Sequence, residues 1–326
     1  MHIIRRPTHH GNLPPPPTAL TIGNFDGVHL GHRALLEAVL TRARQGQMLA
    51  SLMTFWPHPK QYFAAANSPV PARICGRRDQ WEAIAACGID QLFALRFDRK
   101  LAACSAEHFI EHYLVAAIGV RHLVIGDDFR FGAKRRGDFQ MLELAGRKHG
   151  FSVESLQSVL HNRQRVSSSQ VREALSQGRF DVVKTLLGRD YAMTGHVIHG
   201  RKLGRELGFP TLNLRIDDKQ APIHGIFVVS VCGLGSDENQ ALPAVASLGT
   251  RPAVEQDGRL LLEVHLLDWT GQAYGRLVKV TFLKKLRDEA HYSSLEALKE
   301  QIARDCSEAR AYFNTCQEGS SHVEQR

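Results

Sequence analysis

Residues 19–32, ALTIGNFDGVHLGH, decide how the first half of this chain is read. An apolar run, Ala19 to Ile22, leads into Gly23-Asn24-Phe25-Asp26-Gly27 and closes on His29-Leu30-Gly31-His32. A leucine- and alanine-rich segment with helical spacing follows, from Arg33 to Arg44. The order is therefore strand, tight glycine turn, helix. Backbone N–H groups at such a helix N-terminus can face an anion, and glycines let a phosphate come close. Histidines three apart at a helix start share one face and reach the same ligand. The competing reading is a buried glycine-rich turn carrying two of the chain's 17 histidines.

Outward from this block, strand-like and helix-like runs alternate. Leu49–Phe55 is apolar without alternation, as a strand buried on both faces requires. It stops at Trp56-Pro57-His58-Pro59, where two prolines make a rigid loop. Helical spacing covers 73–86, 106–118 and 139–149, strand patterning covers 91–97 and 122–126, and 153–159 reads as an edge strand. Residues 1–17 read as a lead-in ending in a four-proline spacer. The alternation predicts an α/β half with a parallel sheet covered on both faces. Ligands of such sheets bind beyond the carboxyl ends of the strands, so loops 23–32, 56–59 and 127–132 are expected on one sheet edge. In the last of these, Asp128, Phe129 and Phe131 are candidates for holding a flat ring and its charges, although glycine-bounded phenylalanines also serve as core. Ser167, Ser168 and Ser169 then open a helix with Arg172 one turn in. This suits an N-cap, and equally a phosphate clamp.

The texture changes after Gly188. GHVIHG, GIFVVSV, ALPAVASLG, LLLEVHLLD and LVKVTFL are short strands without intervening helices, which predicts an antiparallel barrel or sandwich. One or two closing helices are expected over 286–313, with Leu295, Leu298, Ile302 and Ala309 on the apolar face. The expected organisation is 1–187, 188–314 and a flexible tail over 315–326. Within Gly195–Asn213, Gly200, Gly204 and Gly208 alternate with cations including Arg205, which suits a loop over a phosphate chain. Thr211 and Asn213 alternate on a strand, so two neutral oxygens face one side and suit a Mg²⁺ completed by water and phosphate. The G-K-[ST] ending of a Walker A loop is absent. A glycine-rich hairpin with a basic rim has the same spacing.

Net charge is +8, from 41 basic and 33 acidic residues, which favours polyanionic partners without choosing among them. The six cysteines form no C-x-x-C pair and no zinc-finger spacing, so reduced thiols in a cytoplasm and no zinc are expected. The N-terminus lacks the apolar stretch of a signal peptide, and no apolar run is long enough to span a bilayer.

The H-x-G-H block with GNFDG ahead of it resembles the adenylyltransferase half of bifunctional riboflavin kinase/FAD synthetases. TFWPHP at 54–59, GDDFRFG at 126–132 and VSSSQVR at 166–172 resemble that family's T-F-x-P-x-P, G-x-D-F-x-F-G and I-S-S-T-x-[IV]-R blocks, with Ser169 at the usual threonine. Gly195–Asn213 is similar to the riboflavin kinase signature G-x-V-x-x-G-x-x-x-G-R-x-L-G-F-P-T-A-N, with Leu212 where alanine is common. SLGTRPAVE at 247–255 carries Ser247 and Ala253 where the family has asparagine and threonine, and LLEVHLLDWTGQAYGR at 261–276 places Glu263 at the family's glutamate. The resemblance implies a Rossmann-like nucleotidyltransferase domain followed by a β-barrel kinase domain. It implies riboflavin, FMN and ATP as substrates, Mg²⁺ with the ATP, and no nucleic-acid or membrane partner. It also implies site residues. For adenylylation they are Gly23, Asn24, Phe25, Asp26, Gly27, His29, His32, Ser168, Ser169 and Arg172, with Asp128, Phe129, Phe131 and Pro59 at the flavin. For the kinase they are Gly200, Gly204, Arg205, Gly208, Thr211 and Asn213 on MgATP, with Glu263 as general base. A nucleotidyltransferase with a non-flavin acceptor fits the first half and leaves the second unexplained. A nucleic-acid-binding protein would interleave its cations with exposed aromatics, and no such stripe is visible.

Overall fold

The computed structural model describes residues 1–7, 14–64, 70–161, 164–200, 203–216, 221–235, 237, 240–249 and 260–321. The chain divides into two compact units, 1–71 with 80–167 and 72–79 with 168–326.

The first unit is built on a parallel sheet of β1 (His2–Ile4), β2 (Thr18–Ile22), β3 (Leu49–Trp56), β4 (Gln91–Arg96), β5 (Val120–Gly126) and β6 (Ser152–Leu156), in the order β1-β4-β3-β2-β5-β6. Its helices are α1 (Leu30–Gly46), α2 (Pro59–Phe63), α3 (Arg77–Ala85, which belongs to it from Gln80 on), α4 (Arg99–Ala102), α5 (Ala106–His108), continued by a π-helix over Phe109–Ile118, and α6 (Phe139–His149). A two-stranded piece, β7 (Leu160–His161) with β8 (Gln164–Arg165), follows. Every residue of β2 is buried. Its period of two sends Leu20 and Ile22 into one apolar cluster and Ala19 into the other, so both sheet faces are covered. Loops 23–32, 56–59 and 127–132 leave the carboxyl ends of β2, β3 and β5, which are neighbours in the sheet, as the alternation requires.

The second unit opens with α7 (Ser168–Ser176) and α8 (Phe180–Leu187) and closes into a six-stranded antiparallel barrel. The barrel strands are β9 (Tyr191–Ile198), β10 (Leu212–Ile216), β11 (Gly225–Cys232), β12 (Leu242–Leu248), β13 (Leu260–Leu266) and β14 (Leu277–Arg287), in the order β10-β13-β12-β11-β14-β9, with β10 pairing back to β9. α9 (Leu203–Glu206) lies between β9 and β10, and α10 (Leu295–Ser321) follows β14. Alternation fills the interior: Val197, Leu214, Phe227, Ala246, Leu262, Val264 and Val280 are buried and point inward. Phe180 of α8 packs on Tyr191, Phe227 and Phe282 with ring centroids 5.9–6.4 Å apart. That aromatic cluster ties α8 to the barrel, and the compact unit that holds the barrel takes in α7 and α8 as well. On the outer face Ile226, Val228, Val245 and Leu267 are covered by Cys306 and Ala309 of α10. Burial pushes the Cys306 thiol up to about 11.

Four expectations change. His2–Ile4, within the expected lead-in, forms edge strand β1 on β4; three residues are too few to show a period. The helix expected over 73–86 starts at Arg77. Leu286 lies in β14 and not in a helix, and Leu295 is exposed at the start of the closing helix, whose buried face is Cys306 and Ala309 with Ile302 packed beside them. That helix runs on to Ser321, past the expected start of a flexible tail.

Of the two ion pairs between α10 and the barrel among the described residues, Arg287–Asp305 is the more buried. Arg287 Nε and Nη2 donate to the two Asp305 oxygens at 2.9 and 2.7 Å, and Gln301 donates a further bond at 2.9 Å. The Asp305 carboxylate holds the guanidinium above its ordinary value. The Asp305 side chain is 4% exposed and that of Arg287 22%. Asp305→Ala strands a largely dehydrated cation, so a loss of about 2 kcal/mol is expected in chemical denaturation of the whole chain. An unchanged midpoint would refute this.

Candidate active sites

In the first unit the glycine turn is a strained backbone held by buried side chains. Phe25, Gly27 and Val28 have φ of 50°, 83° and 44°. Left-handed backbone costs a non-glycine residue about 1–3 kcal/mol, and most for a β-branched one. Phe25 and Val28 are 0% and 1% exposed, so apolar burial offsets that strain. Thr54 Oγ1 and Gln80 Nε2 donate to the Asn24 carbonyl at 3.2 and 2.7 Å, and Gln80 also reaches the Phe25 carbonyl at 3.1 Å. The Asn24 side-chain oxygen is buried with no hydrogen-bond partner among the described residues.

His29 is the N-cap of α1, and its Nδ1 accepts the His32 backbone N–H at 3.3 Å. The bond leaves Nε2 as the proton-bearing nitrogen of the neutral ring. The rings of His29 and His32 stack at 3.7 Å, and His32 lies 4.7 Å from Phe25. The shared face expected from their spacing is therefore realised. Ser168, Ser169 and Arg172 form the first turns of α7 in the second unit, where Arg172 Nε donates to the Ala72 carbonyl at 2.6 Å.

The other two loops of the first unit differ from each other. His58 caps α2 reciprocally with Gln61, and Pro59 is its first residue. Tyr62, Phe63, Phe55 and Phe97 form an edge-to-face cluster with centroids 5.2–5.9 Å apart, and Phe63 is 66% exposed. Tyr62 and Phe63 lie outside the expected site residues; their signal is QYF just after the proline loop. In the third loop Ser158 donates to both oxygens of Asp127, holding that carboxyl below its usual range, and Arg165 pairs with Asp128 at 3.0 Å. Phe131, expected at a ring-binding wall, is 7% exposed and packs on Phe109 in the core. It stacks on the half-buried Phe129 at 5.7 Å.

The second unit carries its candidate site on the outside of the barrel. Glu263 of β13 pairs directly with Asn213 of β10 on one side and Ser247 of β12 on the other. Residues directly opposite across antiparallel strands point to the same face. Leu262 and Val264 point inward, so Glu263, Asn213 and Ser247 form one outward row. Glu263 is exposed, whereas Asn213 is only 6% exposed. A Cβ at Gly200 would collide with the Asn213 amide, and one at Gly204 would collide with the Phe209 carbonyl and crowd the Thr211 hydroxyl at 3.3 Å. Glycine is thus required for the loop to close over these two side chains. Phe209 N–H to the Gly204 carbonyl at 2.7 Å and Gly208 N–H to the Arg205 carbonyl at 3.2 Å fold the loop on itself. Gly208 sits at a φ of 89°. Arg201, Lys202 and the segment 250–259 with Ala253 lie outside the described residues.

A Mg²⁺ fits this donor set. Among the described residues no cluster of three histidine, cysteine or acidic side chains forms a protein cage. Thr211 and Asn213 instead carry two neutral oxygens beside Gly204 and Gly200, a donor set of the kind that suits a Mg²⁺ completed by phosphate and water.

Comparison with known proteins matches each half of the chain to a family of its own. Residues 13–170 match the family model described as FAD synthetase, and residues 187–313 match that described as riboflavin kinase. The protein named bifunctional riboflavin kinase/FMN adenylyltransferase from Escherichia coli (strain K12) is 43% identical over 313 residues, 96% of this chain and 98% of its own length. The protein of the same name from Pseudomonas fluorescens is 42% identical over 306 residues, 94% of each chain. A crystal structure titled macrolide-efflux protein from Streptococcus pneumoniae has a TM-score of 0.76 at 27% identity and covers 95% of this chain and 99% of its own. Among the described residues here, no helix is long and apolar enough to cross a membrane. With matches in chain order to both catalytic families, and relatives alike from end to end, the chain belongs to the bifunctional riboflavin kinase/FMN adenylyltransferase family.

Proposed function

We propose that the two reactions of this enzyme are carried by two separate sets of residues. The enzyme phosphorylates riboflavin with ATP to give FMN and ADP, and adenylylates FMN with ATP to give FAD and pyrophosphate. Residues 1–187 are assigned to adenylylation and 188–314 to the kinase.

In the kinase, Glu263 takes the proton of the ribityl 5′-hydroxyl as its oxygen attacks the γ-phosphorus and the bond to ADP breaks. The observation that carries this is the direct pairing of Glu263 with Asn213, which sets a carboxylate beside the phosphate-facing strand. Thr211 and Asn213 would hold Mg²⁺, which when bound neutralises phosphate charge. Gly200, Gly204, Arg205 and Gly208 form the cover over the phosphates. In adenylylation an FMN phosphate oxygen attacks the α-phosphorus of ATP and pyrophosphate leaves, so no covalent enzyme intermediate is needed. The residues supply position and charge. His29, His32 and the turn from Gly23 to Gly27 are assigned to the ATP phosphates, and Ser168, Ser169 and Arg172 to phosphate binding. Asp128, Phe129, Phe131 and Pro59 are assigned to the flavin, together with Tyr62 and Phe63, whose exposed rings suit a flat apolar surface, and the partly buried Phe97 beside them. The buried Cys104 and Cys306 thiols, both pushed up by burial, suit a reducing cytoplasm.

The test is incubation with riboflavin and ATP, with flavins separated over time and Mg²⁺ removed and restored. FMN is expected first and FAD second, both absent with chelator and both regained with Mg²⁺. FMN formation that survives chelation would remove the metal assignment at Thr211 and Asn213.

A further inference from the structure

The kinase phosphate loop ends at Phe209-Pro210-Thr211, and one side chain from the strand that carries Glu263 holds that end. His265 Nδ1 lies 2.9 Å from the Pro210 carbonyl. A carbonyl only accepts, so Nδ1 carries the hydrogen and donates it. Proline has no N–H of its own, which leaves this carbonyl as its one hydrogen-bonding group. The Phe209 ring stands edge-on to His265 at 5.5 Å and 83°, and also packs against the apolar cluster under α10. His265 is two residues beyond Glu263 on β13, so both side chains leave the same outer face. Extending the β10–β13 register by one residue past Leu212–Val264 sets Thr211 opposite His265.

Glu263 and the clamp on the loop therefore share one rigid strand. We infer that His265 is a positioning residue for riboflavin phosphorylation: by holding the Pro210 carbonyl it fixes Thr211, and with it the MgATP phosphates, relative to Glu263. This inference rests on the assignment of Thr211 and Glu263 to the kinase site. It assigns His265 no contact with substrate. Its effect falls on ATP engagement and leaves adenylylation untouched.

The experiment compares His265→Leu, His265→Asn and His265→Gln in the full chain, with Thr211→Ala as control. An asparagine amide N–H falls near the place of Nδ1, whereas a glutamine amide reaches toward Nε2. The readouts are kcat and KM for MgATP in riboflavin phosphorylation, the rate of FAD formation from supplied FMN, and the thermal unfolding midpoint. His265→Leu and His265→Gln are expected to lose ~10- to 100-fold in kcat/KM for MgATP, mainly through KM. His265→Asn is expected to stay within about threefold of the parent, and FAD formation from FMN to be unchanged in all three. Equal kinase rates for the Asn and Gln variants overturn the inference, even if the Leu variant fails to fold. So does a folded His265→Leu with the parent's kcat/KM. If Thr211→Ala keeps full kinase activity, the underlying site assignment fails; if it loses activity while every His265 variant is normal, only the role of His265 fails.

Discussion

Glu263→Gln is expected to abolish FMN formation from riboflavin while FAD formation from supplied FMN continues at the parent rate. The substitution keeps the size and shape of the side chain and removes its ability to take a proton. Glu263 points outward from β13 while Leu262 and Val264 point into the barrel, so the interior and the strand register are not disturbed. Loss of a general base lowers the rate by about 10²- to 10⁴-fold, which places residual FMN formation near the limit of a product-separation assay. Thr211 and Asn213 remain, so MgATP binding should persist and the loss should fall on kcat, not on KM for ATP. Asn213 and Ser247 flank Glu263 on the same face, and an amide at 263 fills the same space between them. Kinase activity within about threefold of the parent would remove Glu263 from the proton-transfer role, and loss of both activities in a folded variant would end the assignment of two separate sites.

The sequence made the elements of long period legible and the short or context-held ones not. β2 is buried on both faces, and its run Thr18-Ala-Leu-Thr-Ile22 shows that directly. The alternation of β9, with Tyr191, Met193, Gly195 and Val197 buried, shows a barrel strand equally well. The histidine pair was legible because three residues of helix fix a shared face. Phe131 is the opposite case. A glycine-bounded phenylalanine reads the same whether it faces a ligand or the core, and its contact with Phe109 shows only in the fold. The Tyr62–Phe63–Phe97 cluster joins residues from two segments, which no single window displays. The role of α8 was invisible for the same reason. Its amphipathic pattern names a buried face but not the partner, and Phe180 turns out to pack on the barrel aromatics. The pairing of Glu263 with Asn213 also needed the register, since the two lie 50 positions apart in the chain.

His32→Ala should give the reverse phenotype, with FMN accumulating from riboflavin and no FAD. His32 sits in the first turn of α1, stacked on His29 at 3.7 Å, with the left-handed Phe25 also in ring contact at 4.7 Å. Removing the imidazole deletes one polar group assigned to the ATP phosphates and frees the His29 ring to move. Loss of a single preorganised donor to developing charge is worth about 10²- to 10³-fold in rate. Stability should fall far less. His32 is half-buried, and its backbone N–H still bonds to His29 Nδ1, so α1 keeps its N-cap. The kinase elements, from the phosphate loop to Glu263, lie in the other compact unit and keep their own core. Two variants separate the contributions of the ring. His32→Asn restores a short polar group without the stack, and His32→Phe restores the stack without the polar group. If the polar group matters, Asn should recover part of the FAD-forming rate and Phe none. Recovery by Phe alone would make His32 a packing residue for His29, and adenylylation would then rest on His29 and the glycine turn.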